Sequence, residues 1–156
     1  GGAVVTADFK TIWPPVHDNI PEGSLPLPRA LDFSMGRVPP RGLDAGFGGW
    51  NGRAMIEWPG QRLGQGPKGG MTLRLSATGP LNHMILYTPV DRDFFCMEPV
   101  SHPINAINLE GDGPSGRMHT LASGERFEGS LSLKVMLDAS LEVDPDLKFL
   151  KEGFRE

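Results

Sequence analysis

The stretch "RFEGSLSLKVML", residues 126–137, is the longest run of alternating apolar and polar residues in the chain. Successive side chains of a β-strand point to opposite faces, so the alternation places one set of apolar residues on a common side. That set is Phe127, Leu131, Leu133, Val135 and Leu137. A long strand with one buried face is typical of β-sandwiches and β-barrels. The run therefore predicts an all-β fold.

Shorter strand patterns recur upstream of this run. They are "AVVTADF" (3–9), "RAMIEW" (53–58), "MTLRLSA" (71–77), "HMILYT" (83–88) and "DFFCM" (93–97). The last two are continuous apolar runs, which predicts strands that are covered on both faces. With 21 Gly and 15 Pro in 156 residues, the composition disfavours long helices. We predict an antiparallel β-sandwich built from short strands.

The connections and the C-terminus complete this outline. Residues 14–29 are rich in proline and predict a long surface loop. The segment "DPDLKFLKEGF" (144–154) has the residues that begin and end a helix, and it is the best helix candidate in the sequence. We therefore divide the chain into a sandwich domain, residues 1–137, and a tail, residues 138–156, that contains a short helix.

Charge and composition exclude several classes of protein. The formal net charge is -4, and the basic residues are scattered, so no basic stripe predicts nucleic-acid binding. No apolar run approaches the roughly 20 residues that cross a membrane, and we expect a cytoplasmic protein. Cys96 is the single cysteine, and the four histidines are scattered, so neither a disulfide nor a metal site is expected. We expect Cys96 to be buried in its strand.

Asp44 is the first candidate for chemistry. It lies in "GLDAGFGGWNG" (42–52), where glycines favour tight turns and Phe47 and Trp50 follow closely. A carboxylate beside aromatic rings suits a sugar, because the rings stack on the apolar face of the pyranose while the acid accepts hydrogen bonds from hydroxyls. The alternative is that Asp44 caps a turn and that both aromatic side chains belong to the core.

Glu98 is the second candidate, within "DFFCMEPVSHPINAIN" (93–108). Pro99 lacks an N–H group, so we expect the strand to bend or end here and to leave a partly desolvated carboxylate, which suits a general base. The alternative is a structural ion pair with Arg92 or Arg74. His102 could line the same pocket, or it could be an ordinary surface histidine.

Three segments carry a resemblance to a known family. The sequences "LDAGFGGWNGRAMIEWP" (43–59), "LYTPVDRDFFCMEPVSHPINAINL" (86–109) and "LASGERFEGSLSLKV" (121–135) resemble the aldose 1-epimerases, or galactose mutarotases. The resemblance implies a large antiparallel supersandwich of which this chain is the C-terminal half. It implies that Glu98 is the catalytic base and that Asp44 binds substrate. The implied reaction interconverts the α and β anomers of a free aldohexose without a metal or an organic cofactor.

One feature of that family has no match here. Its acid is a histidine in a motif resembling "HPYF", and none of the histidines of this chain, His17, His83, His102 and His119, lies in such a motif. We therefore expect a partner, either the missing N-terminal half or another copy of the chain. Three other interpretations stay open: a non-catalytic carbohydrate-binding module, a glycoside hydrolase with Asp44 and Glu98 as its two carboxylates, and a sandwich without a ligand.

Overall fold

The computed structural model describes residues 2–16, 20–60, 70–109 and 118–137, which form nine β-strands. These are β1 Val4–Ala7, β2 Thr11–Trp13, β3 Leu25–Pro26, β4 Asp44–Gly48, β5 Arg53–Trp58, β6 Met71–Thr78, β7 His83–Tyr87, β8 Cys96–Val100 and β9 Ser130–Leu137. Helical structure in these ranges is limited to two short 3-10 helices, Arg29–Leu31 and Ala106–Asn108. No helix in the described part of the chain has the length and apolar character of a membrane span.

The strands form two antiparallel sheets that pack face to face. One sheet has four strands in the order β1-β5-β6-β9, and the other has five in the order β3-β2-β4-β7-β8. Their inner faces meet in a common core, in which Phe9, Phe33 and Phe47 are in ring contact. The predicted all-β antiparallel sandwich is confirmed.

The glycine-rich segment before Trp50 is a strand and not a series of tight turns. Asp44–Gly48 pairs with β2 on one side and with β7 on the other. Close packing is a reason for glycine at position 48, because a Cβ atom there would be 2.5 Å from the Oγ1 of Thr11 and 3.1 Å from the Nε1 of Trp13. A Cβ atom on Gly46 would be 3.4 Å from the Cβ of Trp13, which is an ordinary contact. The sequence indicated turns because glycine favours them, but close packing is a second reason for glycine.

Strand β8 is shifted relative to the prediction, and it continues through Pro99. The predicted strand covered 93–97, whereas the observed strand is Cys96–Val100. Pro99 pairs with Met84 without ending the ladder, which is possible because β8 is the last strand in the order of its sheet. The expectation that the strand ends at Pro99 was therefore wrong, as was that of a buried Cys96, whose burial is intermediate.

The strand predicted for residues 126–137 is confirmed for its last eight residues, Ser130–Leu137, but its predicted burial is not. Strand β9 pairs with β6 over eight residues, Ser130–Leu137. Its four apolar side chains lie on the same side as the buried Leu75, yet they are 49–59% exposed: Leu131, Leu133, Val135 and Leu137. Strand β9 is an edge strand of its sheet, and within the described residues nothing buries these side chains.

Two predicted elements have different outcomes. The proline-rich stretch 14–29 is mostly irregular, as expected, but it contributes the two-residue strand β3 within its described part. The helix predicted for residues 144–154 lies outside the described residues, as does all of the tail from residue 138.

Candidate functional site

The candidate residues lie on the outer face of the five-stranded sheet, which is the face turned away from the four-stranded sheet. In β7, Met84 and Leu86 belong to the core, so His83, Ile85 and Tyr87 point to the outer face. The register of the neighbouring strands places a set of side chains on that same face. The set is Asp44 from β4 and Cys96, Glu98 and Val100 from β8.

Glu98 is exposed and is held opposite Ile85 by the pairing of β8 with β7. The structure therefore does not give it the partial desolvation that we expected. Among the described residues, the side chain of Glu98 has neither a hydrogen bond nor an ion pair. The alternative of a structural ion pair is also wrong, since Arg92 lies 3.8 Å from Asp91 and Arg74 belongs to the opposite sheet. A carboxylate without an internal partner is free to accept a ligand hydroxyl.

Asp44 is the first residue of β4, and it too is exposed. It pairs with Tyr87, so it shares the outer face with Glu98 but lies on a strand two positions away in the sheet. Sheet spacing puts the two backbones about 12 Å apart, from two strand separations and an offset of two residues. The glycoside hydrolase interpretation depends on the separation of the two carboxyl groups, about 5 to 10 Å, and the backbone spacing does not decide it.

Phe47 and Trp50 do not line this site, which corrects the prediction that they bind substrate. Phe47 is fully buried, with 0% exposure, and packs against Phe9 and Phe33 between the sheets. Trp50 is 4% exposed, and its indole N–H donates to the carbonyl of Arg53 at 2.8 Å. Both rings are core, as the alternative interpretation held, because the alternation of β4 turns Phe47 away from Asp44.

Two other aromatic side chains lie near the carboxylates, and the sequence analysis did not select them. Tyr87 pairs directly with Asp44 and with Cys96. Phe94 precedes β8, and its ring makes an edge contact with Tyr87, with centroids 6.5 Å apart and planes at 61°. Tyr87 is 37% exposed and Phe94 is 54% exposed. The sequence carries no clear signal for Tyr87, because β7 lies in a continuous apolar run without alternation.

Arg41 fixes the loop that carries Phe94. Its guanidinium donates to the carbonyls of Val90 at 3.1 Å and Arg92 at 3.2 Å, and it also donates to the carboxylate of Asp93. Nearby, the hydroxyl of Thr88 accepts a hydrogen bond from the N–H of Leu43 at 2.9 Å. These contacts connect the loop after β7 to the segment that leads into Asp44.

His102 follows β8 by two residues and is partly buried. Its Nδ1 lies 2.8 Å from the hydroxyl of Ser101, which is the hydrogen bond that the structure gives it within the described residues. It is therefore near the end of the strand that carries Glu98, but it does not contact Glu98. Its assignment to the pocket stays a prediction.

At the β2 end, the outer face is covered instead of open. Trp13 is 1% exposed and His83 is 3% exposed, and their rings lie 6.4 Å apart. Asn105 donates from its side chain to the carbonyl of Pro21 at 2.8 Å, which joins the segment after β8 to the loop after β2. The open part of the outer face is therefore the region of Asp44, Tyr87 and Glu98.

Among the described residues, the group whose pKa is clearly shifted is Asp32, which lies away from the candidate site. Hydrogen bonds from Ser34, first from its side chain and then from its backbone N–H, lower the pKa of Asp32. Asp32 belongs to the loop whose Arg37 pairs with β1, a strand of the other sheet. Its shifted pKa therefore reflects a local turn and not the candidate site.

Comparisons with known proteins agree with this fold. No protein-family model matches the chain. The chain is 33% identical to the "Uncharacterized protein YphB" of Escherichia coli (strain K12), over 70% of this chain and 37% of that protein. It also matches a solved structure, described as a "Putative aldose 1-epimerase" from Escherichia coli K12, with a TM-score of 0.62 and 25% identity, over 86% of this chain and 45% of that one. The chain thus spans less than half the length of both relatives. Its resemblance to the aldose 1-epimerases is confirmed as a relation in sequence and fold.

Proposed function

We propose that the chain takes part in aldose 1-epimerase chemistry, interconverting the α and β anomers of a free aldohexose, with Glu98 as the general base. The match to the structure described as a "Putative aldose 1-epimerase" supports this class of reaction. The observation that carries the proposal for this chain is the position of Glu98 and Asp44. Both are exposed on one sheet face, and neither has an internal ion-pair partner among the described residues.

The proposed chemistry follows from these two carboxylates. Glu98 accepts the proton of the anomeric hydroxyl, while an acid protonates the ring oxygen and the C1–O5 bond breaks. Rotation about the C1–C2 bond and closure on the other face give the second anomer, and the proton transfers are then reversed. Asp44 accepts hydrogen bonds from substrate hydroxyls and fixes the sugar relative to Glu98. General acid–base catalysis of this kind depends on position and proton affinity.

The acid of the reaction is proposed to come from outside the described residues of this chain. His83 is buried against Trp13, and His102 is bonded to Ser101. His119 lies against the ring of Phe127, with centroids 4.8 Å apart. These surroundings support a partner as the source of the acid, either a segment equivalent to the unmatched part of the relatives or a second copy of the chain.

Polarimetry of freshly dissolved α-D-galactose and α-D-glucose tests this proposal. We expect the chain, together with the segment that supplies the acid, to accelerate the approach to anomeric equilibrium. Glu98→Gln keeps the shape of the side chain and removes its basicity, so it should lower kcat by about 100-fold or more while sugar binding changes little. The rate is read from the decay of optical rotation, and binding is read from saturation-transfer NMR of the sugar.

Glu57→Gln is the matched control, since Glu57 also lies on a strand but belongs to the four-stranded sheet. It should leave the rate unchanged. Full turnover by the Glu98→Gln protein would remove Glu98 as the base. Sugar binding without any acceleration by the wild-type chain together with the segment that supplies the acid would instead favour the carbohydrate-binding module.

A further inference from the structure

The proposed reaction needs a surface that holds the sugar ring, and the predicted aromatic pair, Phe47 and Trp50, is buried in the core. Tyr87 and Phe94 are placed differently. Tyr87 stands between Asp44 and Cys96 in the register of the sheet, and Glu98 follows two residues along β8. Asp44, the candidate for binding hydroxyls, and Glu98, the candidate base, therefore lie on either side of Tyr87 on one continuous face.

The exposure of these two rings is the unusual feature. The next residue, Phe95, turns inward and stacks on Trp58, with centroids 6.5 Å apart and planes at 20°, while Phe94 remains 54% exposed. Large aromatic side chains dominate cores and binding surfaces because they bury so much apolar area. A half-exposed pair beside two unpaired carboxylates is consistent with a surface that a ligand covers.

The geometry of the pair suits a sugar. The planes of Tyr87 and Phe94 meet at 61° in an edge contact, so the two rings form a corner and are not stacked face to face. The C–H groups on one side of a pyranose form an apolar patch that packs against an aromatic face, while the hydroxyls on its rim remain available to carboxylates. The hydrogen bonds from Arg41 to Val90, Arg92 and Asp93 hold the loop beside these two rings in place.

The charges around the corner indicate the class of sugar. Each cation of this region lies beside an acid: Arg41 donates to its loop carbonyls and to Asp93, and Arg92 is 3.8 Å from Asp91. The acids Asp44 and Glu98 face the same surface without a cation. A phosphate group would therefore meet net negative charge and lack a guanidinium partner from this part of the chain.

We propose that Tyr87 and Phe94 form the surface on which the ring of a neutral, unphosphorylated aldopyranose stacks, between Asp44 and Glu98. This inference rests on the proposed function and adds the residues and the charge class of substrate that the site selects. The two rings are positioning residues, so they act on sugar binding and not on proton transfer.

The experiment uses the fact that Tyr87 is the only tyrosine of the chain. Protein labelled with 3-fluorotyrosine gives one ¹⁹F resonance, which we expect to shift on titration with D-galactose. Glycerol, which has hydroxyls but no ring, should not shift it. D-galactose 6-phosphate should bind more weakly than D-galactose, by about tenfold, if the negative surroundings select a neutral sugar.

Variants separate stacking from hydrogen bonding. Tyr87→Leu and Phe94→Leu should each raise the Kd for galactose by about tenfold, measured by saturation-transfer NMR, and should raise KM similarly while kcat stays nearly constant. Tyr87→Phe keeps the ring and should bind as the wild type does. Phe127→Leu is the matched control, because Phe127 is 41% exposed but packs against His119 instead.

The outcomes distinguish this inference from the proposed function. Galactose binding with an unmoved ¹⁹F signal and unchanged leucine variants would overturn the stacking surface and leave the epimerase proposal standing. A shifted signal without mutarotation, measured in the presence of the segment that supplies the acid, would support the surface and overturn the epimerase proposal. Tighter binding of galactose 6-phosphate would overturn the neutral substrate class, and absence of any sugar binding would overturn both proposals.

Discussion

Asp44 and Glu98 are both exposed carboxylates on the same sheet face, yet different roles are proposed for them. Asp44 opens a strand whose following side chains are buried, so its backbone is fixed by pairing with Tyr87. A fixed carboxylate is a good hydrogen-bond acceptor for a sugar hydroxyl, and such charge-assisted bonds contribute about 1.5 to 3 kcal/mol. The structure therefore suits Asp44 to orienting a substrate.

The change Asp44→Asn should separate binding from chemistry. Asparagine keeps the shape but loses the charge, so we expect KM to rise by roughly tenfold or more, while kcat falls much less. Steady-state polarimetry measures both constants. Asp8→Asn is a suitable control, because Asp8 pairs with Lys10 on the surface and should change neither constant. An unchanged KM for Asp44→Asn would exclude the proposed contact with the sugar.

At the residue level, the two carboxylates chosen from the sequence share one sheet face, their role as a site stays a prediction, and their predicted environment was wrong. Glu98 and Asp44 were selected from local patterns, and the structure brings both to one face. The exposure of Glu98 and the burial of Phe47 could not be read locally, because they depend on which strand face turns to the core. Tyr87 was missed because an aromatic in an apolar run has the same sequence pattern whether it faces the core or a ligand.

At the scale of elements, β4 shows how packing against a neighbouring strand restricts which residues a strand can contain. The side chains of Thr11 and Trp13 crowd Gly48, so a Cβ atom there would require a neighbour to shift, whereas one on Gly46 would meet Trp13 at an ordinary contact distance. A local analysis interprets three glycines around Phe47 as turns, since conformational freedom is the usual reason for glycine. The second reason, close approach of another side chain, depends on the pairing of β2 with β4 and lies beyond local pattern.

The two glycines of β4 provide a matched pair of substitutions. A Cβ atom on Gly48 would be 2.5 Å from the Oγ1 of Thr11, whereas one on Gly46 would make an ordinary contact at 3.4 Å. Gly48→Ala should therefore lower the free energy of unfolding by about 1 to 3 kcal/mol through overcrowding. Gly46→Ala should cost clearly less. Urea unfolding followed by tryptophan fluorescence compares the two, and equal losses would contradict the tighter packing of Gly48 against Thr11.

At the scale of the whole molecule, the sandwich is closed on one side and open on another. The five-stranded sheet covers β1, β5 and part of β6, and the inner face beside β9 remains exposed within the described residues. We call the apolar side chains of that strand, Leu131, Leu133, Val135 and Leu137, the β9 face. The sequence predicted the strand and its alternation correctly. It could not predict the exposure, because burial depends on what lies opposite the strand.

The β9 face leads to a prediction about association. An edge strand with four half-exposed apolar side chains invites pairing with another chain, and burying them contributes about 25 cal/mol per Å² of apolar surface. We expect a second copy of the chain to cover this face when the chain is studied alone, so that its sedimentation coefficient rises with concentration. Leu133→Lys places a charge on the face and should shift the equilibrium strongly to monomer.

Ser132→Lys tests whether that effect belongs to the face and not to the strand or to net charge. Ser132 is the neighbouring residue of β9, and its side chain points to the opposite side of the sheet. Ser132→Lys adds the same charge on the other side of the sheet, so it should leave the association constant nearly unchanged. Both lysine variants should keep the unfolding midpoint of the dissociated wild-type chain. A wild-type chain that remains monomeric at every concentration would contradict the prediction, since exposed apolar strands of this length associate unless something covers them. Equal dissociation by both lysine variants would show that charge alone, and not burial of the β9 face, controls assembly.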